Sequence, residues 1–284
     1  MNHDSHILLR IAGRLRSLQN RAIIVKFGGS AMELPAATRG MLDAVAALHI
    51  IGAKLILVHG GGKPIDRAMD AAGLTPVKIQ GRRYTDDATL AIVVHVLREI
   101  GSSLVADFPE RGIDAVSVFR GIVGKRLLLP GLDLQPLDLG RVGVVSGVDR
   151  GIFRELFRIG ILPIVPSIAL DDADGGWLNV NADSMAAGLA RELGAESVLF
   201  LTDTPGVLRD RRVPESRCAR LTVDECRDLI AGGVIDGGMI PKVEACFEAL
   251  EAGAVRAVIL DGRDTHSLLD DFLQPGSTGT EIVK

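Results

Sequence analysis

Two lysines stand beside glycine-rich turns in a pattern suited to handling anions. Lys26 closes an apolar run and opens Lys26-Phe27-Gly28-Gly29-Ser30, and Lys242 ends Gly237-Gly238-Met239-Ile240-Pro241-Lys242, ahead of a helical stretch from about Val243. A lysine at the end of a buried strand is rarely placed without a partner. Two cations beside open backbone could flank a transferring phosphoryl group; Lys242 alone reads equally well as a solvated lysine at a helix start. A second glycine cluster, His59-Gly60-Gly61-Gly62-Lys63, follows another apolar run. Glycine lets backbone N–H groups approach an anion, and a helix N-terminus behind the loop adds a favourable dipole. Each cluster taken singly is also an ordinary tight turn. Together at strand ends they carry more weight, because ligands of open α/β sheets gather there. Neither cluster is GxxxxGK[ST] or GxGxxG, so the mononucleotide P-loop and the dinucleotide fingerprint both fail.

Three further stretches offer binding groups. Arg82 and Arg83 precede Tyr84-Thr85-Asp86; an arginine on such a loop suits bidentate capture of a carboxylate, although the pair also reads as surface charge. Thr202-Asp203-Thr204-Pro205-Gly206-Val207 follows another strand and is either a Pro-Gly turn or a nucleotide-contacting loop. Asn179-Val180-Asn181-Ala182-Asp183 crowds three hydrogen-bonding side chains before a helix-like run. Capping by Asp183 with a turn shaped by the asparagines would account for it.

The elements that must position these residues follow from hydrophobic pattern. Short β-branched runs at Ile23 to Val25, Leu55 to Val58, Val142 to Val145, Ile161 to Val165, Val198 to Leu201 and Ala257 to Leu260 alternate with helical segments. Runs apolar on both faces predict a buried, mostly parallel sheet in an α/β sandwich, with right-handed crossovers carrying helices to both faces. Before the first strand, His6 to Leu18 places Ile7, Leu8, Ile11, Leu15 and Leu18 at helical spacing. That amphipathic helix covers either its own core or another subunit. The polar stretch Asp171 to Gly176 reads as a turn between two halves.

Composition narrows the class. The 284 residues are 47% hydrophobic, enough for one large core or two smaller ones. With 32 basic against 36 acidic residues, net −4, no basic field exists to hold a phosphate backbone, so nucleic acid is excluded as an expected partner. Cys218, Cys226 and Cys246 form no CxxC pair and fit neither a disulfide framework nor a zinc site. This predicts a reducing cytoplasm and no protein-held metal. The reading finds no signal segment and no apolar stretch of about 20 residues fit to cross a bilayer, so no membrane partner is expected.

With these residues in view, the chain resembles the acetylglutamate kinases of the amino acid kinase family. The matching stretches are VKFGGSAM, ILVHGGGKPID, GRRYTDD, DLGRVGVV, NVNADSMAAGLA, LTDTPGVL, GGMIPKVEA and the terminal GTEIV, in order from about residue 23 to the end. The resemblance implies a three-layer αβα sandwich with a mostly parallel central sheet. It implies a helix over 1–20, an acyl-amino-acid-binding half over 21–175 and a nucleotide-binding half over 176–284. It further implies ATP-dependent phosphorylation of the side-chain carboxylate of N-acetyl-L-glutamate in arginine biosynthesis. Carried over by position, Lys26 and Lys242 resemble the two transition-state lysines, and Asp183 the carboxylate that holds both. Gly28, Gly29, Gly61 and Gly62 resemble the backbone donors, Arg83 the arginine on the α-carboxylate and Asn179 the asparagine on the amino-acid end. Thr202, Asp203, Thr204, Pro205, Gly206 and Val207, with Val234, Ile235 and Asp236, align with the nucleotide-contacting segments. Mg²⁺ is expected on the β- and γ-phosphates with few protein ligands.

The chain departs from the family pattern at two places in the substrate half: Val116-Ser117-Val118-Phe119-Arg120-Gly121, where glycine and serine are usual, and the helix Val96-Leu97-Arg98-Glu99-Ile100-Gly101-Ser102-Ser103, which lacks the asparagine usual in that segment. A longer substrate such as N-acetyl-aminoadipate is the alternative these raise. The extra amino-terminal helix and His266-Ser267-Leu268-Leu269 resemble arginine-inhibited hexameric members, while Gln274 to Ser277 replaces their acidic segment. A homodimer or hexamer with arginine feedback is therefore one expectation. Kinases of aspartate, carbamate or uridylate share the fold, a dehydrogenase would need the missing GxGxxG, and a non-catalytic arginine or nitrogen sensor would have no need of Lys26, Lys242 and Asp183 together.

Overall fold

The computed structural model describes residues 11–14, 16–130 and 136–284. Its strands are β1 (Ala22–Phe27), β2 (Lys54–His59), β3 (Lys78–Ile79), β4 (Arg82–Arg83), β5 (Asp114–Ser117), β6 (Ile122–Pro130), β7 (Pro136–Val148), β8 (Ile161–Pro166), β9 (Ile168–Asp171), β10 (Trp177–Val180), β11 (Ser197–Thr202), β12 (Arg220–Thr222), β13 (Arg256–Asp261) and β14 (Thr280–Val283). The helices from residue 35 onward are α1 (Pro35–Ile50), α2 (Gly62–Ala71), α3 (Asp87–Asp107), α4 (Arg150–Arg158), α5 (Ala182–Leu193), α6 (Val223–Ala231), α7 (Ile240–Glu251) and α8 (Ser267–Leu273).

Eight strands form one sheet in the order β12-β14-β13-β11-β1-β2-β8-β5. The six from β13 to β5 are parallel, and β14 runs antiparallel to β13 at the far edge. Alternate residues of the central strands supply two separate cores. Ile24, Ile56, Val58, Phe200 and Ile259 face one helical layer, and Ile23, Val25, Leu55, Leu57, Leu199 and Leu260 face the other. This is the expected three-layer αβα sandwich, and its strands are apolar throughout because both faces are covered.

The run Val142 to Val145 does not join that sheet. It lies in β7, antiparallel to β6, within a small closed barrel of order β10-β7-β6-β9. A β-branched run marks a strand but carries no record of its partner. The boundary expected after residue 175 falls in the turn between β9 and β10, which pair antiparallel, so β10 continues the barrel of the preceding half.

The helix expected over His6 to Leu18 falls partly on residues 1–10 and 15, outside the described residues; positions 11–14 and 16–18 are helical. Leu18 packs on the chain's own core. A second expectation needs correcting. The helical segment Asp87–Arg111 has the length and mean hydropathy, 1.5, of a bilayer span. In the fold, α3 buries Val93, Val96, Leu97 and Leu104 and carries exposed His95 and Glu99 on its outer side. Interior helices of large sandwiches are apolar for the same reason that membrane helices are, so composition alone does not separate them.

Candidate active site

Because β1, β2, β8, β11 and β13 are parallel, their carboxyl ends meet along one edge of the sheet. That edge collects Lys26, the glycines after His59 and the Thr202 loop, and register places Lys26 opposite Val58 and Phe200. The first glycine turn is shaped by space: a Cβ on Gly28 would come within 3.2 Å of Lys26 Nζ, and Gly29 is left-handed at φ 71°. The second is packed into the protein, since a Cβ on Gly61 would meet Leu97 at 3.0 Å and one on Gly60 would meet Ala182 at 3.2 Å. That last contact brings the second strand's loop against the start of α5.

The crowded asparagine stretch divides its labour. Asn181, not Asp183, caps α5: its Oδ1 accepts from the backbone N–H of Asp183 at 2.8 Å and of Ser184 at 3.2 Å. Asn179 donates from Nδ2 to Thr85 Oγ1 at 3.0 Å. Asp183 is thereby free to pair with Lys26, Oδ1 to Nζ 2.8 Å, with the two side chains 26% and 13% exposed. The expectation that Asp183 holds both lysines needs adjustment, because Lys242 donates to Asp203 Oδ1 at 2.5 Å. Lys242 lies in the first turn of α7, and the nearby carboxyl end of β11 is followed by Asp203. The Lys242 ammonium holds the Asp203 carboxyl below the usual carboxylate range.

Three adjoining cavities follow from these placements. The first, about 270 Å³, is lined by Lys26, Gly28, Gly29, Gly61, Gly62, Arg83, Asn179 and Asp183. Arg83, 9% exposed at its side chain, is held by Asp66 at 2.5 Å. The second cavity, about 340 Å³, spans Lys26, Asp183, Thr202, Asp203 and Lys242. The third, about 380 Å³, is lined by Asp203 to Val207, Val234, Ile235 and Lys242. Gly206 has φ 118°, and Thr280 Oγ1 accepts from Val207 N at 2.8 Å, so the terminal strand clamps this turn. Asp236 does not line the cavity; it pairs with Arg211, which does. A larger cavity of about 740 Å³ opens at the amino ends of β1 and β2 and holds none of the residues singled out in the sequence.

Sequence reasoning missed Asp66, Thr85 and Thr280 as braces, Asp203 as the partner of Lys242, and Lys78 and Ser167 as walls of the first cavity. No local pattern marks such partners, which stand 17 to 94 residues from what they hold. The two departures from the family pattern lie behind the first cavity. Phe119 stacks under the Arg98 guanidinium at 5.4 Å, with Trp177 on it at 5.5 Å. Among the described residues, no group of three or more His, Cys, Asp or Glu side chains converges to hold a metal ion.

Residues 21–261 match the model of the amino acid kinase family. The acetylglutamate kinase of Methanosphaera stadtmanae is 37% identical, over 98% of this chain and 96% of its own length. That of Brachyspira hyodysenteriae is 36% identical, over 100% and 98%. Among solved structures, Neisseria gonorrhoeae N-acetylglutamate synthase, complexed with coenzyme A and N-acetyl-glutamate, superposes with a TM-score of 0.83 at 22% identity; the match spans all of this chain and 64% of the synthase. Giardia lamblia carbamate kinase bound to AMP-PNP gives 0.66 at 16% identity, over 93% and 99%. At these identities the two structures speak to the fold alone.

Proposed function

The chain belongs to the amino acid kinase family, and on that premise we propose that it transfers the γ-phosphoryl group of ATP to the side-chain carboxylate of N-acetyl-L-glutamate, giving N-acetyl-L-glutamyl 5-phosphate for arginine biosynthesis. Relatives named acetylglutamate kinase that align along nearly the whole chain support the substrate. The observation that carries the chemistry is the middle cavity, where Lys26 and Lys242 face one space between an acyl-substrate site and a nucleotide site.

The reaction needs alignment of two anions and stabilisation of the transferring group. A side-chain carboxyl with an ordinary pKa of about 4 is ionised at neutral pH, so it attacks without a general base. Arg83 takes the α-carboxylate and Asn179 holds the amino-acid end beside it, which aims the free carboxylate at the backbone donors of Gly28, Gly29, Gly61 and Gly62. A carboxylate oxygen forms the new bond to phosphorus while the bond to the ADP oxygen breaks, and ADP leaves with that electron pair. Lys26 and Lys242 balance the charge that spreads over the phosphoryl oxygens. Asp183 keeps Lys26 aimed, and Lys242 exchanges its Asp203 contact for the phosphoryl group.

Thr202 to Val207, Val234 and Ile235 receive the nucleotide, with Asp236 bracing Arg211. This assigns 21–175 to the acyl substrate and 176–284 to ATP, with the barrel strand β10 shared. The donor set suits Mg²⁺ carried on the triphosphate, since the carboxylates lining the middle cavity, Asp183 and Asp203, are each spent on a lysine. When bound, the ion would neutralise phosphate charge. Three unpaired cysteines support a reducing, cytoplasmic setting. The amino-terminal helix and the segment from His266 support a homodimer or hexamer with arginine as feedback inhibitor; a rate unchanged by millimolar arginine would end that part.

The test is ADP release from MgATP with N-acetyl-L-glutamate, glutamate, N-acetyl-aminoadipate, aspartate and UMP, trapping acyl phosphate with hydroxylamine. Turnover confined to N-acetyl-L-glutamate is expected. Turnover only with another acceptor moves the substrate, and silence across the panel removes the kinase reading.

A further inference from the structure

The two departures from the family pattern meet behind the glycine loop. His59 ends β2 with its side chain fully buried, and its Nδ1 lies 3.2 Å from the carbonyl oxygen of Gly60. A carbonyl oxygen only accepts, so Nδ1 must carry the proton. Nε2 is then an acceptor, and neither it nor the buried Ser117 Oγ has a protein partner among the described residues. Both open onto Gly101 of α3, where a Cβ would stand 2.6 Å from Ser117 Oγ and 3.2 Å from His59 Nε2. A side chain at residue 101 has no room there.

We propose that His59 is a positioning residue for the glycine loop, working in the tautomer that carries its proton on Nδ1. The geometry of the peptide supplies the reason. Among the described residues no peptide bond is cis, so the Gly60 carbonyl and the Gly61 N–H of the same planar unit point to opposite sides. Drawing the carbonyl inward to His59 turns the N–H outward, toward the cavity that Gly60, Gly61 and Gly62 line. The next peptide is held as well, because the Gly61 carbonyl accepts from Ile65 N at 2.8 Å at the start of α2. Gly61 is thus gripped on both sides without a side chain. Burial pushes the His59 imidazole down to about 4, so it aims the donor as a neutral group and adds no cation near the substrate. The proposal rests on the acyl-substrate reading of that cavity.

The test compares His59→Leu and His59→Asn with the wild-type chain. Loss of one aimed donor should lower kcat for His59→Leu about 30- to 300-fold with the KM for ATP within about twofold. Asparagine can place an amide N–H where Nδ1 stood, so His59→Asn should recover most of that loss. Nitrogen-15 NMR of the wild-type imidazole should show the proton on Nδ1. A folded His59→Leu enzyme with wild-type kcat, a His59→Asn as slow as His59→Leu, or a proton on Nε2 would each overturn the proposal. If His59→Leu does not fold, His59→Asn and the wild-type spectrum decide. The spectrum needs no turnover, so an enzyme inert toward N-acetyl-L-glutamate sinks the substrate assignment while the tautomer is still read.

Discussion

The cavity proposed for the acyl substrate takes its polar groups from side chains already tied to partners, whereas the one proposed for the nucleotide is walled by a turn and by apolar side chains. In the first, Arg83 is held by Asp66, Asn179 by Thr85 and Lys26 by Asp183. In the second, Val207 and Ile235 are buried, and the paired cation, Lys242, leans on an aspartate that is 52% exposed. Charged groups fixed in advance suit a small, doubly anionic acceptor whose carboxylates must be told apart. A turn with an apolar wall suits a flat base and asks less of any one side chain. The two lysines share this division: one is fixed by a strand and a half-buried pair, the other stands at a helix start.

If that contrast is right, the largest effect comes from the two cations on which both sites converge. Lys26→Ala and Lys242→Ala should each lower kcat about 10²- to 10³-fold, with little change in the KM for ATP, because their charge counts mainly in the transition state. Steady-state kinetics check this, and a variant that loses ATP affinity instead of kcat would remove its lysine from the phosphoryl site.

A second expectation separates the halves by pH. His59 sits behind the acyl cavity with its imidazole lowered from an ordinary 6.5 to about 4 by burial. The folded state therefore binds fewer protons than the unfolded one between those values. Its contribution is fully present above pH 6.5 and is lost as pH falls toward 4, a change of about 3 kcal/mol. Urea unfolding of the wild type and His59→Asn from pH 7 to 4 should show the wild type losing more stability over that window.

Arg83→Ala should raise the KM for the acyl substrate about 10- to 100-fold, with a smaller change in kcat, as befits loss of a charged hydrogen bond. The smallest effect belongs to the exposed partner on the nucleotide side. Asp203→Asn should change kcat by no more than about threefold, because exposed ion pairs contribute little. A large loss there would show that Lys242 depends on its partner as Lys26 does, and the contrast between the halves would fail.

Much of this site was legible before any coordinates. Lys26 was marked by a charge at the end of an apolar run, the glycine turns by their composition, and Lys242 by its place after Gly237 and Gly238. The pairings were not. Asn181 and Asp183 are both good helix caps, and only the position of β1 beside α5 leaves Asp183 to Lys26 while Asn181 caps. Val142 to Val145 reads as a central strand by composition, yet it pairs with β6 in the barrel.

The sequence by itself determined which segments are buried strands, which turns lack side chains and how many cations stand near them, because burial and backbone freedom leave their mark on each residue separately. Which carboxylate meets which lysine, and which face of an apolar helix the rest of the fold covers, were decided only by tertiary structure. Those depend on distances between residues far apart in the chain, and local patterns of composition carry no information about them.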